Sequence, residues 1–183
     1  MAMNIQEEMK AMGRQEQLTQ AWPRSPEQIL ADLENDLDGV DRLMRYAFLP
    51  QLAKAALTAN AADKANLYAS ELLATVGSGD WNDGNAVHDA HVVLGLLALK
   101  ASHVGAAAQH LLEAGKTTGS PQLNTFGPDM ALARQLLAAG ERDAVLDYLA
   151  LCEKFWVSGR PQLKAWTDAI RAGGTPTLSA RPF

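Results

Sequence analysis

The chain is 183 residues long, which suits one domain or one domain with an extension. Its 32 Ala and 26 Leu outweigh 20 Val, Ile and Thr combined; alanine and leucine lose least on entering a helix, so the composition predicts an all-α protein. A count of 16 Lys and Arg against 21 Asp and Glu gives a formal net charge of −5 with no basic run, which argues against a nucleic-acid binder that works by neutralising phosphates.

In chain order, residues 1–24 are rich in Gln, Glu, Met and Lys around Gly13 and predict a flexible or weakly helical arm. Ser25-Pro26-Glu27-Gln28 then starts a helix: Ser caps, Pro suits the first helical position, and Gln three residues on completes a capping box. That helix places Ile29, Leu30, Leu33 and Leu37 on one face, and the six acids between Glu27 and Asp41 read as a solvated face. From Leu49 the pattern repeats: Leu52-Ala53, Ala56, Ala65 and Ala69 recur 42 positions later as Leu94-Gly95, Ala98, Ala107 and Leu111. The repeat predicts helix pairs at 49–59 with 62–76 and 86–100 with 104–114, then a looser third pair at 129–139 and 141–157. A last helix runs from Pro161 to Arg171, and residues 173–183 form an irregular tail.

The second copy resembles the tetratricopeptide signature at Leu94-Gly95 and Ala107, with Leu111 in place of the aromatic, His91 in place of the Trp and Ala98 in place of the Tyr. Beyond that, residues 84–172 resemble uncharacterised bacterial tetratricopeptide-like proteins at Gly84-Asn85-Ala86-x-His88, Ser120-Pro121-Gln122-Leu123-x-x-Phe126-Gly127-Pro128-x-Met130 and Cys152-x-x-Phe155-Trp156. The resemblance implies a fold and no particular activity: a right-handed α-solenoid of about three helical hairpins over 25–172, with an N-terminal helical extension.

The helix from Ala86 to Lys100 is apolar on more than one side, with Val93, Leu94 and Leu97 on one flank and Val92, Leu96 and Leu99 on another. A helix apolar nearly all round must be buried, so the second flank is expected to meet the N-terminal helix, a second protomer of a homodimer, or an apolar partner. The longest apolar run, Val92 to Leu99, falls far short of the roughly 20 residues needed to cross a bilayer, and no membrane partner is expected. The first residues lack a leader-like pattern and Cys152 is the single cysteine, so a cytoplasmic protein is expected.

Signals for chemistry are sparse. His88 and His91 lie three apart on one helix, but no third ligand is spaced to complete a metal site, and no cofactor is expected. Cys152 lies at helical spacing with Tyr148 and Phe155 and reads as a buried thiol. Trp81 in the loop 77–84 is a candidate partner anchor or a core lid, and Asp83 or Asn85 is expected to cap the helix that follows. The polar stretch 116–127 is long for a helix connection, and Leu123 and Phe126 are expected to pin it to the core. The leading expectation is a non-catalytic scaffold that binds a protein or peptide. Alternatives are a small-ligand or enzymatic pocket of Asn85, His88, Gln122 and Asn124, with His88 as acid–base residue, and a structural homodimer.

Overall fold

A computed structural model describes residues 24–37, 39–77 and 82–179; residues 1–23 of the arm expected at 1–24, and Trp81, lie outside the described residues. All regular structure among these residues is helical: α1 (Pro26–Asn35), α2 (Arg42–Thr58), α3 (Ala62–Thr75), α4 (Asp83–Lys100), α5 (Val104–Gly115), α6 (Pro121–Phe126), α7 (Ala131–Ala138), α8 (Arg142–Cys152), a 3-10 turn at Val157–Gly159, and α9 (Arg160–Arg171). None of these helices is long and apolar enough to cross a membrane.

Helix α1 begins as its sequence dictates: the Ser25 hydroxyl accepts from Gln28 N and the Gln28 side chain accepts from Ser25 N, two amide donors satisfied reciprocally. Leu30 and Leu37 are buried and Leu33 partly so, whereas Ile29, expected beside them, is exposed. Much of the acidic stretch has local work. Asp32 pairs with Arg24, Asp41 caps α2 by accepting from Met44 N, and Glu34 ties α1 to α3 by accepting from Lys64 Nζ at 2.7 Å and Tyr68 Oη at 2.6 Å. Burial, together with the hydrogen bond to Glu34, pushes the Tyr68 phenol up to about 12.

Three pairs of consecutive helices, α2 with α3, α4 with α5, and α7 with α8, pack against one another, and each pair is joined by the same tight turn. In the first, Ala61 N donates to Ala56 O and Asn60 N to Leu57 O; in the second, His103 N donates to Ala98 O and Ser102 N to Leu99 O. In the third, Glu141 N donates to Leu136 O and Gly140 N to Leu137 O. This is the paired-bond helix ending that needs a left-handed residue, supplied by Asn60 at φ 55°, Ser102 at φ 62° and Gly140 at φ 95°. Ser102 holds the unfavourable conformation without the local help that Asn draws from its side chain. Ser102→Gly is therefore expected to stabilise the protein by about 0.5–1 kcal/mol, read as a higher thermal midpoint; no change would mean the turn is relaxed in solution.

Helix α4 is the hub. It packs against α2, α3, α5, α6 and α7, which accounts for its apolarity on several sides. Val92 and Val93 are fully buried and Leu96 is 5% exposed, so the flank expected to serve a homodimer is covered by helices of the same chain, with Leu99 half-buried at its end. Gly95 explains the Leu-Gly pair: a Cβ there would lie 2.3 Å from Leu132 Cδ2 and 3.2 Å from His110 Cβ, so the missing side chain is the space that α7 and α5 occupy. Residues 174–179 are irregular, as expected, but not loose. Leu178 is fully buried, its carbonyl accepts from Arg134 at 3.0 Å, and Arg142 donates to the carbonyls of Gly173 and Gly174.

Candidate functional site

The stretch 116–127 folds against the start of α4. Thr117 Oγ1 donates to Gly84 O at 2.8 Å and accepts from Gly119 N, which brings the loop backbone directly onto the helix. The loop also contains a helix the repeat pattern did not predict, α6, started by Ser120 accepting from Leu123 N with Pro121 at the first position. Leu123 is fully buried and anchors it, but Phe126 is 63% exposed and does not pin the loop as expected. Trp156 closes the far side. A Cβ at Gly127 would meet its ring at 2.6 Å and one at Gly159 at 2.1 Å, so two glycines make room for one indole, which packs at a tilt on Trp166.

This docking creates a cleft of about 350 Å³ lined by Ala47, Pro50 and Gln51 of α2, by Asn82, Asn85 and Asp89 around the start of α4, and by Gln122 and Phe126 of α6. Asn85 is 6% exposed and forms its corner: its Nδ2 donates to Asn82 Oδ1 at 2.7 Å and to Gln122 Oε1 at 3.1 Å, and its Oδ1 accepts from Ser120 Oγ at 2.7 Å. Asn85 is thus committed to the loop and does not cap α4. Asp83 does not cap it either, since its carboxylate accepts from Tyr46 Oη at 2.9 Å and Gly77 N at 3.1 Å.

Beneath the cleft lies a buried polar network. Lys54 Nζ sits 3.3 Å from Asp89 Oδ1 and 3.9 Å from Asp129 Oδ2, and both carboxylates are almost wholly buried. Asp129 Oδ1 accepts from Ala131 N at 2.8 Å and so starts α7, whereas its Oδ2 is buried and accepts no hydrogen bond. His88 Nδ1 lies 3.2 Å from Asp89 Oδ1, and His88 Nε2 lies 3.1 Å from Tyr148 Oη, which donates to Asp129 O. Burial holds the Tyr148 phenol well above its usual range, and the Cys152 thiol beside it is likewise pushed up by burial, so neither is an ionised group at neutral pH.

Of the expected pocket residues, the structure brings Asn85 and Gln122 together and separates the other two. His88 has no exposed surface and points away from the cleft into the core, so it is not an accessible acid–base residue. Asn124 is exposed but does not line the cleft; with its amide nitrogen turned inward it donates to Phe155 O at 2.6 Å. In place of His88 the cleft has Asp89, and Lys54, Asp129, Tyr148, Gln51 and Phe126 are functional candidates that the sequence pattern does not mark as such.

His91 stands apart, its Nδ1 3.0 Å from Nδ1 of His110 on α5. No cluster of three or more metal-ligating side chains occurs among the described residues. Burial lowers the His91 pKa, with further depression from His110, and burial lowers that of His110. Because both folded values lie below the usual 6.5, the unfolded chain binds more protons just below that pH. Stability is therefore expected to fall as pH drops below 6.5, and His110→Leu should flatten that fall; the check is the urea midpoint of both proteins at pH 7.5 and 5.5. Parallel losses in the two proteins would remove the pair as the cause.

Comparison with models of protein families, with curated proteins and with solved structures returns no match.

Proposed function

We propose that the chain is a non-catalytic peptide- or protein-binding module built as a tetratricopeptide-like stack of three helical hairpins, α2/α3, α4/α5 and α7/α8. The recurrence of one turn geometry at Asn60, Ser102 and Gly140 supports the repeat reading, as does the fit of Gly95 beneath α7. The first helices of the three hairpins share a surface. Besides the amide cleft, a second cleft of about 290 Å³ is lined by Leu57 and Thr58 of α2, Leu96 and Lys100 of α4, and Ala131, Arg134 and Gln135 of α7. Pro50 and Gln51 lie seven residues before Leu57 and Thr58, and Asp89 seven before Leu96, so two helical turns, roughly 10 Å, separate two clefts on one face. A peptide in extended conformation covers that distance in about three residues.

The observation that carries the proposal is the amide cleft itself. Gln122 and Asn82, both held by Asn85, line it with side-chain amides of the kind that suit a peptide main chain, and the exposed ring of Phe126 offers an apolar contact at the lip. The test is a random-peptide display selection on the wild-type protein, with recovered peptides re-measured on a folded Gln122→Ala/Phe126→Ala variant. Micromolar peptides that lose about tenfold or more on the variant are expected, since an exposed aromatic anchor and one hydrogen bond together supply over about 1.4 kcal/mol. Peptides that bind both proteins alike would place the binding face elsewhere, and a selection that recovers none would remove the reading.

A further inference from the structure

We propose that the floor of the amide cleft is a seat for a cationic side chain, lysine or arginine, of the bound segment, and that Lys54 is handed from Asp89 to Asp129 as that side chain enters. The inference rests on the peptide-binding reading above and names what the cleft selects. Three observations carry it. Among the described residues that line the cleft, Asp89 is the one that carries a formal charge, and its neighbours there include the side-chain amides of Gln51, Asn82, Asn85 and Gln122. Its ammonium neighbour, Lys54 Nζ at 3.3 Å, is shared with a second carboxylate 3.9 Å away, just beyond hydrogen-bonding reach. The near oxygen of that second carboxylate, Asp129 Oδ2, is buried and accepts nothing, although a buried acceptor left unmade is costly.

These facts describe a relay with one acceptor still unserved. Lys54 comes from α2 on a flexible stem, with a side chain 16% exposed, and a movement of about 1 Å takes its ammonium from Asp89 into hydrogen-bonding range of Asp129 Oδ2. A cation arriving from the cleft then takes the place of Lys54 beside Asp89, and Asp129 Oδ2 gains the donor it lacks. A neutral side chain drives no such transfer. The buried His88 ring, its Nδ1 3.2 Å from Asp89 Oδ1, helps keep the carboxylate oriented during the exchange. The cations of the second cleft are engaged elsewhere: Lys100 donates to Leu57 O and Asn60 Oδ1, and Arg134 to Leu178 O.

The experiment uses peptides selected as above. For one peptide, its lysine or arginine is replaced by norleucine and both forms are titrated into wild type, Asp89→Asn and Asp129→Asn, with the Lys54 side-chain NMR signal followed in the wild type. The expected result is selection of peptides carrying a basic residue beside an apolar one, with norleucine costing about tenfold or more in wild type, as for a charge-assisted hydrogen bond. That cost should fall to within about twofold in Asp89→Asn and shrink in Asp129→Asn, which keeps the acceptor for Ala131 N but offers Lys54 no carboxylate. The Lys54 signal should move with the basic peptide and stay still with its norleucine analogue. Cleft-dependent peptides without a basic residue, or a norleucine cost unchanged in both variants, would overturn the seat while leaving the peptide reading standing. Recovery of no peptide would overturn both.

Discussion

Gly84→Ala is expected to destabilise the protein by roughly 2–4 kcal/mol and to dismantle the cleft. Gly84 lies in the first turn of α4, where alanine on helix propensity alone would be the better residue by about 1 kcal/mol. The environment reverses that preference. A Cβ at 84 would lie 1.9 Å from Gly119 O and 2.5 Å from Gly119 C, and backbone cannot step aside as a side-chain tip can. The loop must lift, at about 1–3 kcal/mol for enforced backbone movement, and it takes with it the bonds from Thr117 to Gly84 O and from Ser120 to Asn85. Urea unfolding gives the stability, and the side-chain amide NMR signals of Asn85 and Gln122 report whether the corner survives. A variant as stable as wild type with those signals unmoved would mean that the loop does not rest on α4 in solution. Gly95→Ala is the control: its closest contact is the end of the Leu132 side chain, which can rotate, so a smaller loss is expected.

The expectations from sequence divide along a physical line. What depended on local signals was legible: the capping box at Ser25, the helix pairs, and the small residues Ala53, Ala56, Ala65 and Ala107, all fully buried where helices approach closely. The Ser-Pro pair that announces α1 also stands at Ser120-Pro121 and starts α6, so that helix was readable by the same rule. It was hidden by reading 116–127 as a connector between repeats. The site was half legible. Asn85, His88 and Asp89 lie within one helical turn, with His88 and Asp89 displaced to opposite sides of Asn85, and only the tertiary setting decides which faces the cleft. Tyr148, sixty residues on, draws His88 into the core, and Asp89 is left to the cleft. The Lys54–Asp129 juxtaposition spans 75 positions and no periodicity encodes it; a lysine set among Leu52, Ala53, Ala55 and Ala56 was the one available hint that a buried counter-charge exists.

The second large effect expected is at Lys54. Lys54→Met should cost about 3–5 kcal/mol at neutral pH, the usual consequence of removing one partner from a buried ion pair. Methionine retains the apolar bulk of the lysine stem, so lost packing accounts for little of it. Most of the loss is electrostatic. Asp89 and Asp129 keep their charges in surroundings where both are almost wholly buried, and they lose the ammonium that lies 3.3 Å and 3.9 Å from them. One consequence distinguishes a stranded charge from a general loosening of the core. Adding Asp89→Asn and Asp129→Asn to Lys54→Met should return most of the loss, because uncharged amides need no counter-ion and the amide oxygen placed at position 129 would still accept from Ala131 N at the start of α7. Urea unfolding of the single and triple variants at about pH 7 reads it. A triple variant no more stable than Lys54→Met would mean that Lys54 contributes through its stem rather than its charge, and the exchange between Asp89 and Asp129 would lose its basis.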